Sequence, residues 1–313
     1  MAASRFTIWL LGLACLSLFF LAGHLHPLAY LAMGTWLPLP ILVVGWRLGE
    51  RAALGLAVVA ALLLFASQPT VKGLLDNLAF GELLLMGVLL SSFRSRGIFP
   101  AHGIILVTAV ITLAGLIVLL GQSALAGQTP LEVLQQKAQE TAQTLNKVFT
   151  ETGVETKSLM PLGLPQLDWE TLILRIYPAL FVINTAFVAW LNTVAARSLA
   201  HLLKWDEPGL PLSEWNNPEW LIFVFLIAGF MLLAPVPSLR LISLNLLLVL
   251  GFLYFCQGVA VVAAIFQRFR VPVFLRLLGY PLLFINPLFF LIIILGLTDL
   301  WLDFRRLHQP RDA

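Results

Sequence analysis

The sequence predicts an all-α fold: a polytopic transmembrane bundle of eight or nine spans carrying one long amphipathic helix outside the bilayer. Three observations predict it. Of the 313 residues, 60% are hydrophobic and only 11% charged, against about 25% charged in an ordinary soluble domain. Apolar runs of about 20 residues, the length that crosses a hydrocarbon core, recur along nearly the whole chain. The longest polar run, "TPLEVLQQKAQETAQTLNKVF", has helical periodicity. A soluble core of this composition would leave too few polar groups to cover its surface, so the solvent for most of the chain is lipid.

The runs fall near 6–23, 28–46, 52–67, 74–93, 102–121, 172–196, 217–235, 241–266 and 279–302. The first has Arg5 ahead of it but no A-x-A cleavage pattern, and a second run follows at once, so it reads as an uncleaved span rather than a signal peptide. The third is short, and the last lies in an apolar stretch interrupted by Pro281 and Pro287, which leaves the count open there. The whole of 1–313 reads as one transmembrane domain, with 122–171 as an insertion on the non-cytoplasmic side.

Orientation follows from the basic residues of the short loops. Arg5, Arg47 and Arg51, Arg94 and Arg96, Arg197 with Lys204, and Arg268 with Arg270 and Arg276 fall on one side, which the positive-inside rule makes cytoplasmic. The chain thus reads as a multi-pass protein of the bacterial cytoplasmic (inner) membrane with a cytoplasmic amino terminus. Arg305, Arg306 and Arg311 fit only if the last segment is hairpin-like, so the side of the carboxyl terminus stays open. With a net charge of +3 spread over short clusters, nucleic acid is excluded as a partner.

In the insertion, Thr129 as N-cap, Pro130 at the first helical position and Glu132 at the third form a capping box. Leu131, Leu134, Ala138, Ala142, Leu145 and Phe149 then follow at steps of 3 or 4, one apolar stripe on a helix over about 130–152. Its polar face is not dominated by lysine or arginine, so the stripe is expected on the protein's own outer surface, with docking of a second protein as the alternative.

Polar groups inside apolar runs are the candidate functional residues, because a charge in the bilayer costs at least ~2.5 kcal/mol and needs a partner or water. Glu82 falls near mid-span in "LLDNLAFGELLLMG", with Asp76 and Asn77 nearer its outer end. "LRIYPALFVINTAFVAWLN" supplies Arg175, Tyr177, Asn184 and Asn192, the last three sharing roughly one helix face, and Gln257 adds an amide in the eighth run. Arg175 and Asp76 are expected at similar depth, as an ion pair. These groups either bond helices together or line a polar cavity for a small-molecule solute. In "GERAALGLAVVAALLLFA", Gly49, Ala53, Ala57 and Ala61 form a strip of small side chains, for packing within the chain or against a membrane-protein partner. The tail pairs Asp299 and Asp303 with Arg305 and Arg306, expected as an interfacial helix end whose charges meet water.

Enzyme signatures are missing. The five histidines are scattered, Cys15 and Cys256 lie apart inside apolar runs, and there is no GxSxG, HExxH or P-loop. The expectation is a non-enzyme with no metal and no cofactor.

In order along the chain, "LPLPILVVGWRLGERAALGLAVVAALLL", "YPALFVINTAFVAWLNTVAARSLAHLL", "NLLLVLGFLYFCQGVAVVAAIFQRFRVP" and "GLTDLWLDFRR" resemble segments of the YybS-like family of bacterial membrane proteins. The activity of that family is undefined. The family is in turn distantly similar to the S components of energy-coupling-factor vitamin transporters, which capture a vitamin and borrow an ATPase module. The resemblance implies a solute-binding, transport-related protein without an energy source of its own. S components dock through small-residue strips, usually on the first helix, whereas this chain carries its strip on the third run. From a different class stands a non-catalytic scaffold or assembly factor that docks an envelope partner through the 130–152 helix.

Overall fold

The computed structural model describes residues 4–25, 33–67, 78–98, 100–152, 169–205, 213, 215–285 and 287–305. The described residues form helices and no strand. In chain order they are α1 (Arg5–Leu25), α2 (Pro38–Leu48), α3 (Glu50–Ser67), α4 (Leu78–Ser95), α5 (Pro100–Ala126), α6 (Pro130–Thr152), α7 (Trp169–Leu202), α8 (Leu221–Leu232), α9 (Pro237–Arg268), α10 (Val273–Leu282) and α11 (Leu288–Leu302).

Among the described residues, five helical stretches are long and apolar enough to cross a membrane unaided: Arg5–Ala22, Leu78–Ser95, Ala101–Ala126, Thr171–Leu202 and Pro237–Arg268. At three further runs of the eight or nine expected the described helices are shorter, for a local reason. Pro38 and Pro40 open α2, Pro218 stands just before α8, and Pro281 and Pro287 bracket the gap between α10 and α11. A proline lacks the N–H an interior turn needs, so each of these apolar runs becomes a helix of 10–15 residues.

The chain divides into two compact units. The first comprises residues 1–98, 102–177 and 184–207, the second 99–101, 178–183 and 208–313.

In the first unit, α1 to α4 share a core of Leu16, Ile41, Val44, Ala53, Leu56, Ala57, Phe80 and Leu84. Gly49, at φ +97°, ends α2 and lets the chain reverse into α3. Gly49 is therefore a turn residue, while Ala53 and Ala57 are buried in the unit's own core and Ala61 is exposed. The amphipathic helix forms over Pro130–Thr152 with the expected reciprocal cap: the Thr129 amide donates to Glu132 Oε2 at 2.7 Å, and the Glu132 amide to Thr129 Oγ1 at 3.3 Å. Ala138, Ala142 and Leu145 pack on Ile173, Leu174 and Tyr177 of α7, so this stripe is covered by the chain itself. The buried face is rotated from the expected one, since Val133 is buried and Leu131 is exposed.

In the second unit, α8, α9 and α11 share a core that includes Leu221, Ala228, Leu250 and Tyr254. The antiparallel pair α9 and α11 touches backbone to backbone. A Cβ on Gly258 would collide with the Ile292 carbonyl, and one on Gly296 with the Tyr254 carbonyl. Such close approach is how helices gain dispersion contacts in lipid, where no hydrophobic force draws them together. Gly258→Val is expected to lower stability by about 1–3 kcal/mol in sodium dodecyl sulfate titrations. Gly229→Ala, where an added Cβ meets open space, should stay within about 0.5 kcal/mol of the parent; equal losses would refute the close-packing account.

Candidate functional site

The polar groups gather in two places, one in each unit. In the first unit the centre is Glu82, half-buried in the second turn of α4. Lys137 of α6 lies near enough for its charge to act on the Glu82 carboxylate. Tyr177 of α7 is hydrogen-bonded to the Thr141 side chain and feels the charges of Glu140 and Glu82. Three helices thus bring together a carboxylate, an ammonium and a phenol, and α6 packs on α7 with Ala138 and Ala142 in the seam. The placement follows from helical period. Residues 137 and 141 are one turn apart, so they face the same way beside the buried 138 and 142 pair.

Asn192 is elsewhere. It is fully buried, and its Nδ2 donates to the Thr35 carbonyl at 2.7 Å and to the Val188 carbonyl at 2.7 Å, tying α7 to the segment before α2. At 1.5 Å per residue, Asn192 lies about 22 Å along α7 from Tyr177, too far to line one small-solute pocket with it. Asn184 and Arg175 are exposed. Asp76 and Asn77, and with them the expected Asp76–Arg175 pair, lie outside the described residues.

Gln257 belongs to the second site, in the second unit. Helix α8 is 12 residues long, and the chain before it, 215–218, has no regular structure yet runs along α9. Asn217 is buried there, its Nδ2 donating to the Leu253 carbonyl at 2.9 Å and its backbone N–H to Gln257 Oε1 at 3.3 Å. Leu253 lies about 22 Å along α9 from its Arg268 end, so an irregular stretch reaches the middle of a membrane-length helix. Trp215 Nε1 donates to Asn217 Oδ1 at 3.2 Å, and Ser213 Oγ to Gln267 Oε1 at 3.2 Å. Gln257 Nε2 in turn donates to Asp299 Oδ2 at 3.2 Å.

Arg305 closes this network. Its Nε and Nη2 both donate to Asp299 Oδ2, at 3.0 and 2.5 Å, and its Nη1 donates to the carbonyls of Ser213 at 3.0 Å and Trp215 at 2.5 Å. Both side chains of the pair are 3% exposed. The tail charges therefore do not all meet water, as the sequence suggested. The left-handed turn at Asp303, φ +40°, reverses the chain after α11 and folds Arg305 back onto the carboxylate.

Lys137, Thr141 and Asn217 escaped the sequence reading, as did the burial of the Asp299–Arg305 pair. The first two had a usable signal, their turn spacing next to the apolar stripe. For Asn217 the signal was the Asn-Asn-Pro break in an apolar run. Among the described residues no three His, Cys, Asp or Glu side chains could together hold a metal ion.

Removing one partner of a buried pair strands the other charge, so Asp299→Asn or Arg305→Gln alone is expected to cost about 3–5 kcal/mol. The double variant should cost clearly less than the sum, with about 1 kcal/mol or more of coupling in a double-mutant cycle. Simple additivity would show that the two side chains do not act as a pair.

The profile of one family, described as predicted membrane protein (DUF2232), matches residues 14–300. Comparison with curated proteins and with solved structures gives no match.

Proposed function

From the chain's membership of the DUF2232 family of predicted membrane proteins, we propose a solute-binding, transport-related role without an intrinsic energy source or catalytic activity. The observation that carries this reading is the Glu82 site. A carboxylate in an apolar helix is costly unless partnered or wet, and here Lys137 and Tyr177 attend it beneath an amphipathic helix. A group that served only to bond helices together would sit fully buried, as Asn192 does with its Nδ2 shared between two carbonyls. Glu82 instead is half-buried beside a lysine at one end of its unit.

The solute class that suits the site is small and polar, with hydrogen-bond donors for the Glu82 carboxylate and an acceptor for Lys137 or the Tyr177 phenol. Helix α6 would act as its cover. The resemblance to vitamin-capturing S components points the same way. In this reading the end of the first unit that carries Arg5, Arg51 and Lys204 is cytoplasmic, the membrane is the bacterial inner membrane, and α6 is on the outer side. The scaffold alternative draws less support, because the apolar face of α6 packs on α7 and leaves mainly polar side chains for a partner.

The test is thermal unfolding of the purified protein against a panel of water-soluble vitamins and other small polar solutes. At least one compound should raise the melting temperature of the parent, and Glu82→Gln and Tyr177→Phe should each abolish that shift while leaving the unliganded melting temperature nearly unchanged. A panel that stabilises parent and variants alike, or neither, would sink the proposal.

A further inference from the structure

The other end of the first unit carries a second, independent feature. Five helix termini meet there. Trp9 Nε1 of α1 donates to the Ala52 carbonyl at the start of α3 at 3.2 Å. Ser95 Oγ at the end of α4 donates to Glu50, and Arg96 Nε stands 3.9 Å from the same carboxylate. The Arg94 guanidinium lies 4.1 Å from the centroid of Trp46, near the end of α2. The Arg47 guanidinium lies 5.5 Å from the centroid of Trp205, just past the end of α7.

The charge at this end is one-sided. Arg5, Arg47, Arg51, Arg94, Arg96 and Lys204 all stand within a few residues of these termini, against one carboxylate among the described residues of the same termini, Glu50. Helix dipoles do not balance them. The C-termini of α2, α4 and α7 and the N-termini of α1 and α3 each bring about half a charge, and the two kinds largely cancel. Glu50 is itself engaged by Ser95 and Arg96. Arg47 and Arg51 stay exposed on either side of the Gly49 turn, and Trp205 braces Arg47 in place. A tryptophan next to the last turn of a membrane helix marks headgroup depth, where phosphates are.

We propose that Arg47 and Arg51, flanking the Gly49 turn, form a binding site for the phosphate of an anionic phospholipid in the leaflet that this end meets. A guanidinium offers two parallel N–H groups to two phosphate oxygens, and a pair of them separated by a tight turn can take one phosphodiester from both sides. A zwitterionic lipid carries its own cation beside the phosphate and competes poorly. The inference does not depend on the solute reading.

The experiment is native mass spectrometry and thermal unfolding of the full chain in mild detergent, with phosphatidylglycerol, phosphatidylcholine or inorganic phosphate added at equal concentration. Phosphatidylglycerol should remain bound and raise the melting temperature where phosphatidylcholine does not, and inorganic phosphate should not displace it. Arg47→Gln and Arg51→Gln should each weaken retention about fivefold, the loss expected for one arginine at a membrane surface, while Lys147→Gln on α6 leaves it unchanged. Should the glutamine variants fail to fold, the parent still decides: retention should fall steeply between about 50 and about 500 mM salt. Equal retention of the two lipids, displacement by inorganic phosphate, folded glutamine variants that keep the lipid, or salt-insensitive binding would each overturn the proposal.

Discussion

A bilayer offers no hydrogen bonds, so every backbone amide and carbonyl within it must be satisfied by the chain itself. The second unit meets that demand in an irregular way. Where the line of α8 stops being helical, the peptide of 215–218 continues along α9, and side chains replace the missing turns: Asn217 reaches the Leu253 carbonyl, and Arg305 takes the carbonyls of Ser213 and Trp215. The same solution appears at Pro178, inside α7. The Ala179 N–H, which follows the proline in the disturbed turn, donates to Asn245 Oδ1 at 2.9 Å. At these two breaks, polar side chains take up backbone groups that the helix leaves over.

Periodicity and capping were legible because they are local. Thr129 and Glu132 form their reciprocal bonds within four residues of each other, and no distant packing is needed to specify them. The apolar runs likewise announced lipid as the solvent. Span lengths were less legible, since a hydropathy window averages across Pro218 or Pro287 without registering the helix break. The burial of the Asp299–Arg305 pair was hidden for another reason. The left-handed turn at Asp303 decides whether Arg305 points to water or back to the helix, and an aspartate in that conformation leaves no mark in composition. Leu131 and Val133 exchanged roles because a stripe of period 3.6 fixes a face only to within one residue's rotation, and the neighbour, α7, chose the centre.

The first unit is chemically polarised. Its α6 end offers a carboxylate, an ammonium and a phenol, while its other end offers guanidiniums braced by indoles. Helices α5 and α7 run between the two ends. The small residues Ala53 and Ala57 of α3 let it lie close against α2 in the same core that contains Phe80 of α4.

The broken span also carries a consequence for how the protein is made. A helix of 12 residues is too short to halt a chain in a translocation channel. Residues 215–218, polar and unfolded when they leave the ribosome, have no partner at that moment. Leu253, Gln257, Asp299 and Arg305, which supply the partners, are all synthesised later. Settling of this segment therefore waits for residues synthesised well after it. Folding of the second unit in that sense runs behind synthesis, and Arg305, which emerges about ninety residues after the loop, is what lets it settle.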